Sequence, residues 1–181
     1  MQDIRSLFLS QGTPGRFGKK DFLIRQGERA DKVYFIKKGV VRHYLNTSDG
    51  HEKTIRLSQE NDFFYSSIVS YYTNEPSYIY CQCLTACELL WWEKSQLEEL
   101  FGQNEALAEF RNQQHLRFIL EKHRKEIGLL TMNAEERFRE FCRERMKLFN
   151  RIPHHIIASF LDITPETLSR LRSKNLDLDQ G

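Results

Sequence analysis

The sequence predicts an α+β protein with an N-terminal antiparallel β-roll of the double-stranded β-helix or jelly-roll type, a long helix and a C-terminal all-α helix-turn-helix unit. Three observations carry this prediction. The first hundred residues contain short apolar runs broken by glycine, residues 103–131 contain no proline and have a helical period, and residues 153–174 have the pattern of two short helices joined by a turn. We expect the boundaries 1–102, 103–131 and 132–181.

The composition is that of a globular chain. Of 181 residues, 40% are hydrophobic and 29% charged, with 9 Gly and 4 Pro. No apolar run approaches the roughly 18 residues that a membrane span needs, and no basic segment followed by an apolar run opens the chain. We therefore expect a cytoplasmic location and no membrane partner.

The cysteines and histidines do not form a site with chemical function. Cys81, Cys83 and Cys87 lack the paired spacing of zinc ligands, and four cysteines are too few to staple a chain of this length, so we interpret them as buried structural thiols. His43 and His51 are isolated, and no nucleophile-base arrangement or glycine-rich phosphate loop is present. We expect no metal, no cofactor and no catalytic residues, and hence no enzyme.

Strand-like runs cover the roll at residues 22–25, 32–36, 40–45 and 52–57, with a further pair at 78–84 and 87–92. Turn signals at Gly27, Gly39 and Gly50 separate the first four runs. Short strands of this kind indicate an antiparallel roll or sandwich.

The helical region begins after Glu93. Ser95, with Glu98 three residues on, predicts a capping box. Apolar residues and one histidine then recur at alternating spacings of four and three, the spacing of a heptad seam. The seam residues are Leu116, Leu120, His123, Ile127 and Leu130. Two interpretations stay open: a helix packed on its own domain, or, as the charged flanks favour, the interface of a homodimer.

The C-terminal region predicts a capped helix and then a helix-turn-helix. Asn133 is placed to cap a helix that ends before Pro153, and Pro153 is expected at the first helical position of the next. Thr164 and Pro165 predict the start of a last helix, whose inward face is apolar. The inward residues are Leu168 and Leu171.

The outward face of the last helix suits DNA. Arg170 can donate two hydrogen bonds to a guanine and Glu166 can accept one from a cytosine. Residues 137–174 carry nine Lys or Arg against four Asp or Glu, a net charge of +5 that favours a polyanionic partner. The expected phosphate contacts are Thr164, Thr167, Arg172 and Lys174.

The run IASFLDITPETLSRLRSK resembles the DNA-binding end of the Crp/Fnr superfamily of bacterial transcription regulators. The triplet Glu166, Ser169 and Arg170 resembles the base-reading residues of its Fnr-like branch, which implies half-sites of the TTGA kind. The turns at Gly27 and Gly39 resemble those of the family's cyclic-nucleotide-binding-type roll. After Lys174 too few residues remain for the β-hairpin wing that many members carry, so we expect no full wing.

The stretch that corresponds to the family's phosphate-binding cassette departs from it. Residues 64–77 contain no Gly, Arg or Lys, so a cyclic phosphate lacks local charge-assisted donors and we expect no usual response to cyclic AMP. Aromatic residues in this region fit either the core of the roll or an effector pocket. The candidate pocket residues are Phe64, Tyr65, Tyr71, Tyr72 and Tyr78.

The resemblance thus implies a homodimeric, sequence-specific regulator of transcription that binds an inverted-repeat operator. The expected partners are double-stranded DNA, a second copy of the chain and RNA polymerase, with an unidentified small-molecule effector or none. The alternative is a ligand-binding signalling module whose C-terminal helices dock a protein partner.

Overall fold

The computed structural model describes residues 4–178. Eight strands form two antiparallel sheets that enclose the N-terminal roll. The strands are β1 (Thr13–Phe17), β2 (Phe22–Ile24), β3 (Lys32–Lys38), β4 (Val41–Asn46), β5 (Glu52–Ser58), β6 (Phe63–Tyr65), β7 (Tyr80–Cys83) and β8 (Cys87–Glu93). The helices are α1 (Ile4–Ser10), α2 (Ile68–Thr73), α3 (Lys94–Gln103), α4 (Glu105–Thr131), α5 (Ala134–Arg145), α6 (His154–Leu161) and α7 (Pro165–Leu178), with a 3-10 helix at Met146–Asn150. The predicted α+β class and its roll are confirmed.

The two sheets have the strand orders β1-β8-β3-β6 and β2-β7-β4-β5. Strands that follow one another along the chain lie in different sheets, apart from the β4–β5 hairpin, as a roll requires. The turn into β4 depends on Gly39, which has φ +116°. A Cβ atom there would lie 2.5 Å from the Cys87 Sγ, so only glycine fits at this position.

Two helices follow β8 rather than one. Asn104 ends α3 and caps α4, where its side chain accepts a hydrogen bond from the Leu107 N–H at 3.2 Å. The predicted capping box at Ser95 is wrong, because α3 begins two residues earlier than such a cap would place it, at Lys94, and Glu93 occupies the cap position without a side-chain hydrogen bond. The buried strand β8 leads directly into the helix, so tertiary packing sets this boundary.

The C-terminal unit begins with the predicted cap. Asn133 and Glu136 form a complete capping box at the start of α5, so this prediction is confirmed. The prediction for Pro153 is off by one position, since Pro153 is the residue that precedes the first helical residue, His154. Proline has no backbone N–H to donate, and neither the cap position nor the first helical position needs one for a hydrogen bond within the helix, so proline costs little at either position.

The C-terminal unit packs directly on strand β5 of the roll. The Ser159 hydroxyl accepts from the Thr54 N–H at 2.8 Å and donates to the Glu52 carbonyl at 3.0 Å. Arg151 forms a two-pronged salt bridge with Glu60 at 2.7 and 2.5 Å. A shared apolar cluster completes the contact. From the roll it takes Val40, Leu57 and Leu84, and from the C-terminal unit Phe141, Leu148, Phe149, Ile152, Ile156 and Ile157 among others.

No helix within residues 4–178 combines the length and the apolar character that a bilayer crossing needs. The cytoplasmic location stays a prediction.

Candidate nucleic-acid interface and inner cavity

Helices α6 and α7 form the predicted bihelical corner. Asp162 ends α6 in the left-handed conformation, with φ 59°, and its N–H bonds back to the Ala158 and Ser159 carbonyls. The Thr164 hydroxyl accepts from the Thr167 N–H at 3.2 Å and caps α7, as its position before Pro165 predicts. The turn residue Ile163 is partly buried against the apolar cluster that holds the corner.

Arg137 braces this turn, a role that the sequence did not indicate. Its guanidinium donates to the Leu161 carbonyl at 2.9 Å, to the Asp162 carbonyl at 3.3 Å and to the Met132 carbonyl at 2.5 Å. These carbonyls belong to the ends of α6 and α4, so one side chain from α5 ties the turn to the long helix. No sequence signal distinguishes Arg137 from the other arginines of α5.

The outward face of α7 is open to solvent. Leu168 and Leu171 are buried, whereas Glu166, Ser169 and Arg170 are exposed. Hydrogen bonds from its own N–H and from the Thr164 hydroxyl lower the pKa of Glu166, which keeps the carboxylate charged and able to accept. The Arg170 guanidinium makes no hydrogen bond or ion pair with any other side chain described in residues 4–174.

The expected phosphate contacts are also at the surface, and two of them already have partners. Lys174 pairs with Glu135 of α5 at 3.2 Å, and the Arg172 guanidinium lies 3.4 Å from the His154 ring nitrogen. Thr164 is exposed and Thr167 is partly buried. Lys174 would exchange an exposed ion pair, worth little in water, for a phosphate contact.

The five seam residues of α4 lie on one exposed face. Leu116, Leu120, Ile127 and Leu130 are 57, 44, 44 and 81% exposed, and His123 is exposed beside Glu126. On the opposite face, Leu107 and Phe110 belong to the apolar core of the roll, and Gly128 is buried. Helix α4 therefore packs on its own domain, but it does so through the face opposite the seam residues. The sequence pattern missed Ile119, which adds a further 58% exposed apolar side chain to this face.

The aromatic residues proposed as an effector pocket do not all meet in one place. Phe64 is buried in the roll and stacked on Tyr34, with ring centroids 5.3 Å apart, and Tyr71 is buried beside Tyr65. Tyr72 is exposed and lies 3.0 Å from the His115 ring nitrogen, which also bonds the Tyr65 hydroxyl. Only Tyr65 and Tyr78 of the five line the large cavity described next.

A cavity of about 750 Å³ lies between the roll, α4 and the C-terminal unit. Its wall includes Ile55 and Arg56 from β5, Phe118 and Lys125 from α4, and Arg145 from α5, among others. The cassette stretch contributes no cation, as its sequence shows, but seven Lys or Arg side chains from other segments line the cavity with four Asp or Glu. The cassette stretch itself therefore offers no charge-assisted donor, as its sequence predicts, and the cations of this cavity are supplied by elements distant in sequence.

Three cysteines and His43 are packing residues of the roll. Cys81, Cys83 and Cys87 are buried in the roll. His43 is buried, with its Nε2 2.9 Å from the Tyr65 carbonyl, and burial together with the charge of Arg56 lowers its pKa to about 3. Within residues 4–178 no group of three or more His, Cys, Asp or Glu is arranged to hold a metal ion.

A roll, a long helix with an open apolar face and a helix-turn-helix define a class of two-unit proteins, and comparisons place the chain within it. The family model described as "Cyclic nucleotide-binding domain" matches residues 14–104. The chain belongs to this family, and its resemblance to the Crp/Fnr superfamily is confirmed.

Individual relatives agree with this placement. The Anaerobic regulatory protein of Bacillus subtilis (strain 168) is 33% identical over 126 residues, which are 67% of this chain and 52% of that protein, so the chain spans about half the length of this relative. The structure of FixK2 from Bradyrhizobium japonicum superposes with a TM-score of 0.81 at 19% identity, over 93% of this chain and 86% of FixK2. The c-di-GMP-responsive global regulator CLP of Xanthomonas campestris gives 0.71 at 18% identity, over 98% and 92%. The Bacillus subtilis relative and CLP are both described as regulators.

Proposed function

We propose that the protein is a homodimeric, sequence-specific DNA-binding regulator of transcription. The observation that carries this proposal is the outward face of α7: Glu166, Ser169 and Arg170 are exposed on a capped helix whose other face is anchored by Leu168 and Leu171. An acid and a guanidinium at the start of such a helix can reach base edges in the major groove. The regulator relatives support the same function.

The open face of α4 supports the dimer. Four apolar side chains between 44 and 81% exposed form a stripe that a second copy would cover by two-fold symmetry. Two-fold symmetry would present two copies of α7 to successive major grooves, about 34 Å apart, so the operator is an inverted repeat. The resemblance of the reading triplet implies half-sites of the TTGA kind.

The cassette stretch supports the absence of a usual cyclic AMP response. Short helix α2 occupies it, and residues 64–77 bring no guanidinium or ammonium group to a phosphate. Cyclic AMP at millimolar concentration is expected to leave both the thermal midpoint and the affinity for DNA unchanged. A response to cyclic AMP would contradict this part of the proposal.

Substitutions on α7 test the reading residues. On a duplex with two TTGA-type half-sites, Arg170→Ala is expected to weaken binding by about 1–3 kcal/mol and to relax selectivity at one base pair. Lys174→Ala is expected to weaken all sequences alike and to reduce the salt dependence. Fluorescence anisotropy at several salt concentrations measures both, with Arg16→Ala, an exposed arginine of β1, as the matched control.

Two outcomes would contradict the assignment. Unchanged affinity and selectivity in Arg170→Ala would remove the proposed base reader. A purified protein that binds a protein partner but no duplex would favour the signalling module, whose C-terminal helices only dock.

A further inference from the structure

The cavity between the roll, α4 and the C-terminal unit contains cations without carboxylate partners. The Lys125 ammonium donates to the Ile55 carbonyl at 2.9 Å and lies over the Phe160 ring, 3.8 Å from its centroid. The Arg145 guanidinium donates to the Leu57 carbonyl at 2.6 Å and lies 5.9 Å from the same centroid. Among the side chains described in residues 4–174, neither forms an ion pair with an Asp or Glu.

Lys125 shows the electrostatic consequence of this arrangement. Burial and the positive charges of Lys53 and Arg145 lower its pKa to about 7, against the opposing effect of Asp162. Taking a cation out of water without an opposite charge is unfavourable. Here the ammonium of Lys125 and the guanidinium of Arg145 are both partly removed from water beside the same Phe160 ring, so this unfavourable free energy arises twice in one place. An anion bound here would be attracted by both groups.

Most acidic groups of the cavity wall are already engaged. Glu121 lies 3.4 Å from Arg117 and 3.6 Å from Arg56. Glu140 and Glu144 both pair with the exposed Arg143. The fourth acid, Asp62, accepts from the Gln59 N–H at 2.9 Å, and burial raises its pKa. The wall carries seven basic against four acidic side chains, so it is net positive as a whole.

The remainder of the wall is largely apolar, and the cavity has the size of a ligand site. Its volume of about 750 Å³ lies within the usual range of about 300–1,000 Å³ for small-molecule pockets. The apolar side chains come from the cassette stretch, α4 and α6. They include Ile68, Phe118, Leu129 and Phe160.

We propose that this cavity binds an organic anion, with one negatively charged group held by Lys125 and Arg145 and an apolar body lying against the aromatic and aliphatic wall. The charged group would sit where β5, α4, α5 and α6 meet, outside the cassette stretch. The ligand would therefore touch the roll, the long helix and the helix-turn-helix unit at once. The site does not depend on DNA binding.

A pair of fluorescent probes tests both halves of the proposal on the full chain. 8-Anilino-1-naphthalenesulfonate has an apolar body and one sulfonate, and N-phenyl-1-naphthylamine has the same body without the charge. We expect the sulfonate to bind at least tenfold more tightly than the neutral amine at pH 6.5. Inorganic sulfate, which has the charge without the body, is expected to displace it only weakly.

Matched variants locate the site. Lys125→Met and Arg145→Gln are each expected to weaken the sulfonate at least fivefold and to leave the neutral amine unchanged, whereas Lys125→Arg restores binding. Arg139→Gln, also on α5 but exposed and paired only with Glu135, which lies outside the cavity wall, should bind like the parent. Circular dichroism and thermal unfolding show which variants are folded. If Arg145→Gln does not fold, the comparison of Lys125→Met with Lys125→Arg still tests the role of the charge.

Three results would overturn the proposal. The first is equal affinity for the charged and neutral probes, which indicates only an apolar surface. The second is equal losses in Arg139→Gln and Arg145→Gln, and the third is full displacement by sulfate at concentrations similar to those of the probe. Because the readout is probe binding, loss of this site leaves the DNA-binding test of Arg170 unaffected.

Discussion

The exposed seam of α4 gives a quantitative prediction for Leu116→Ala. Leu116 is 57% exposed in one chain. Complete burial of a leucine side chain stabilises by about 1.5–3 kcal/mol, so covering the exposed part in a dimer contributes about 1–1.5 kcal/mol for each copy. Two-fold symmetry doubles the effect to about 2–3 kcal/mol, which raises the dimer dissociation constant about 30- to 150-fold.

Sedimentation velocity over a concentration series measures this constant. Met146→Ala is the control, because Met146 is 55% exposed but lies in the 3-10 helix, outside the seam. An unchanged dissociation constant in Leu116→Ala, or an equal loss in Met146→Ala, would refute the assignment of this face as the dimer interface. Circular dichroism should show equal helix content in all three proteins, since neither side chain is in the core.

Two predictions concern the contact between the two units and the cavity. Hydrogen bonds from Arg151 lower the pKa of Glu60 to about 2, below its ordinary value near 4.5, so the salt bridge stabilises fully above pH 4.5 and its contribution is lost as the pH falls towards 2. Glu60→Gln should therefore lower the thermal midpoint at pH 7 more than at pH 3, whereas the exposed control Glu75→Gln should differ little; an equal shift at both pH values would contradict this. Since the pKa of Lys125 is about 7, its charge is present below that pH, and the affinity for the anilinonaphthalenesulfonate probe should fall from pH 6 to pH 9. Fluorescence titration should show a flatter profile in Lys125→Arg, and identical profiles would exclude Lys125 as the charged group.

Local patterns in the sequence predicted the parts of the fold that local physics determines. The Asn133 capping box and the Thr164 cap each depend on residues within a few positions, and both are present. The period of Leu168 and Leu171 likewise identified the buried face of α7. These predictions succeeded because the interacting groups are neighbours along the chain.

The features that sequence reasoning missed join distant segments. Arg151 and Glu60 are 91 residues apart, and Lys125 meets the Ile55 carbonyl across 70 residues. The cations of the cavity come from β5, α4 and α5, so the cassette stretch, which has no Lys or Arg, does not reveal the charge of the cavity wall. Ser95 failed as a cap for a similar reason, since the packing of β8 fixes where α3 begins.

The central claim is that two copies of α7 read DNA together, and selection from a library of random duplexes with the purified full chain tests it most directly. The account predicts enrichment of an inverted repeat with TTGA-like half-sites whose centres are about one helical turn apart, and loss of one base preference in Arg170→Ala. Enrichment of no sequence, or of a single site without two-fold symmetry, would contradict it.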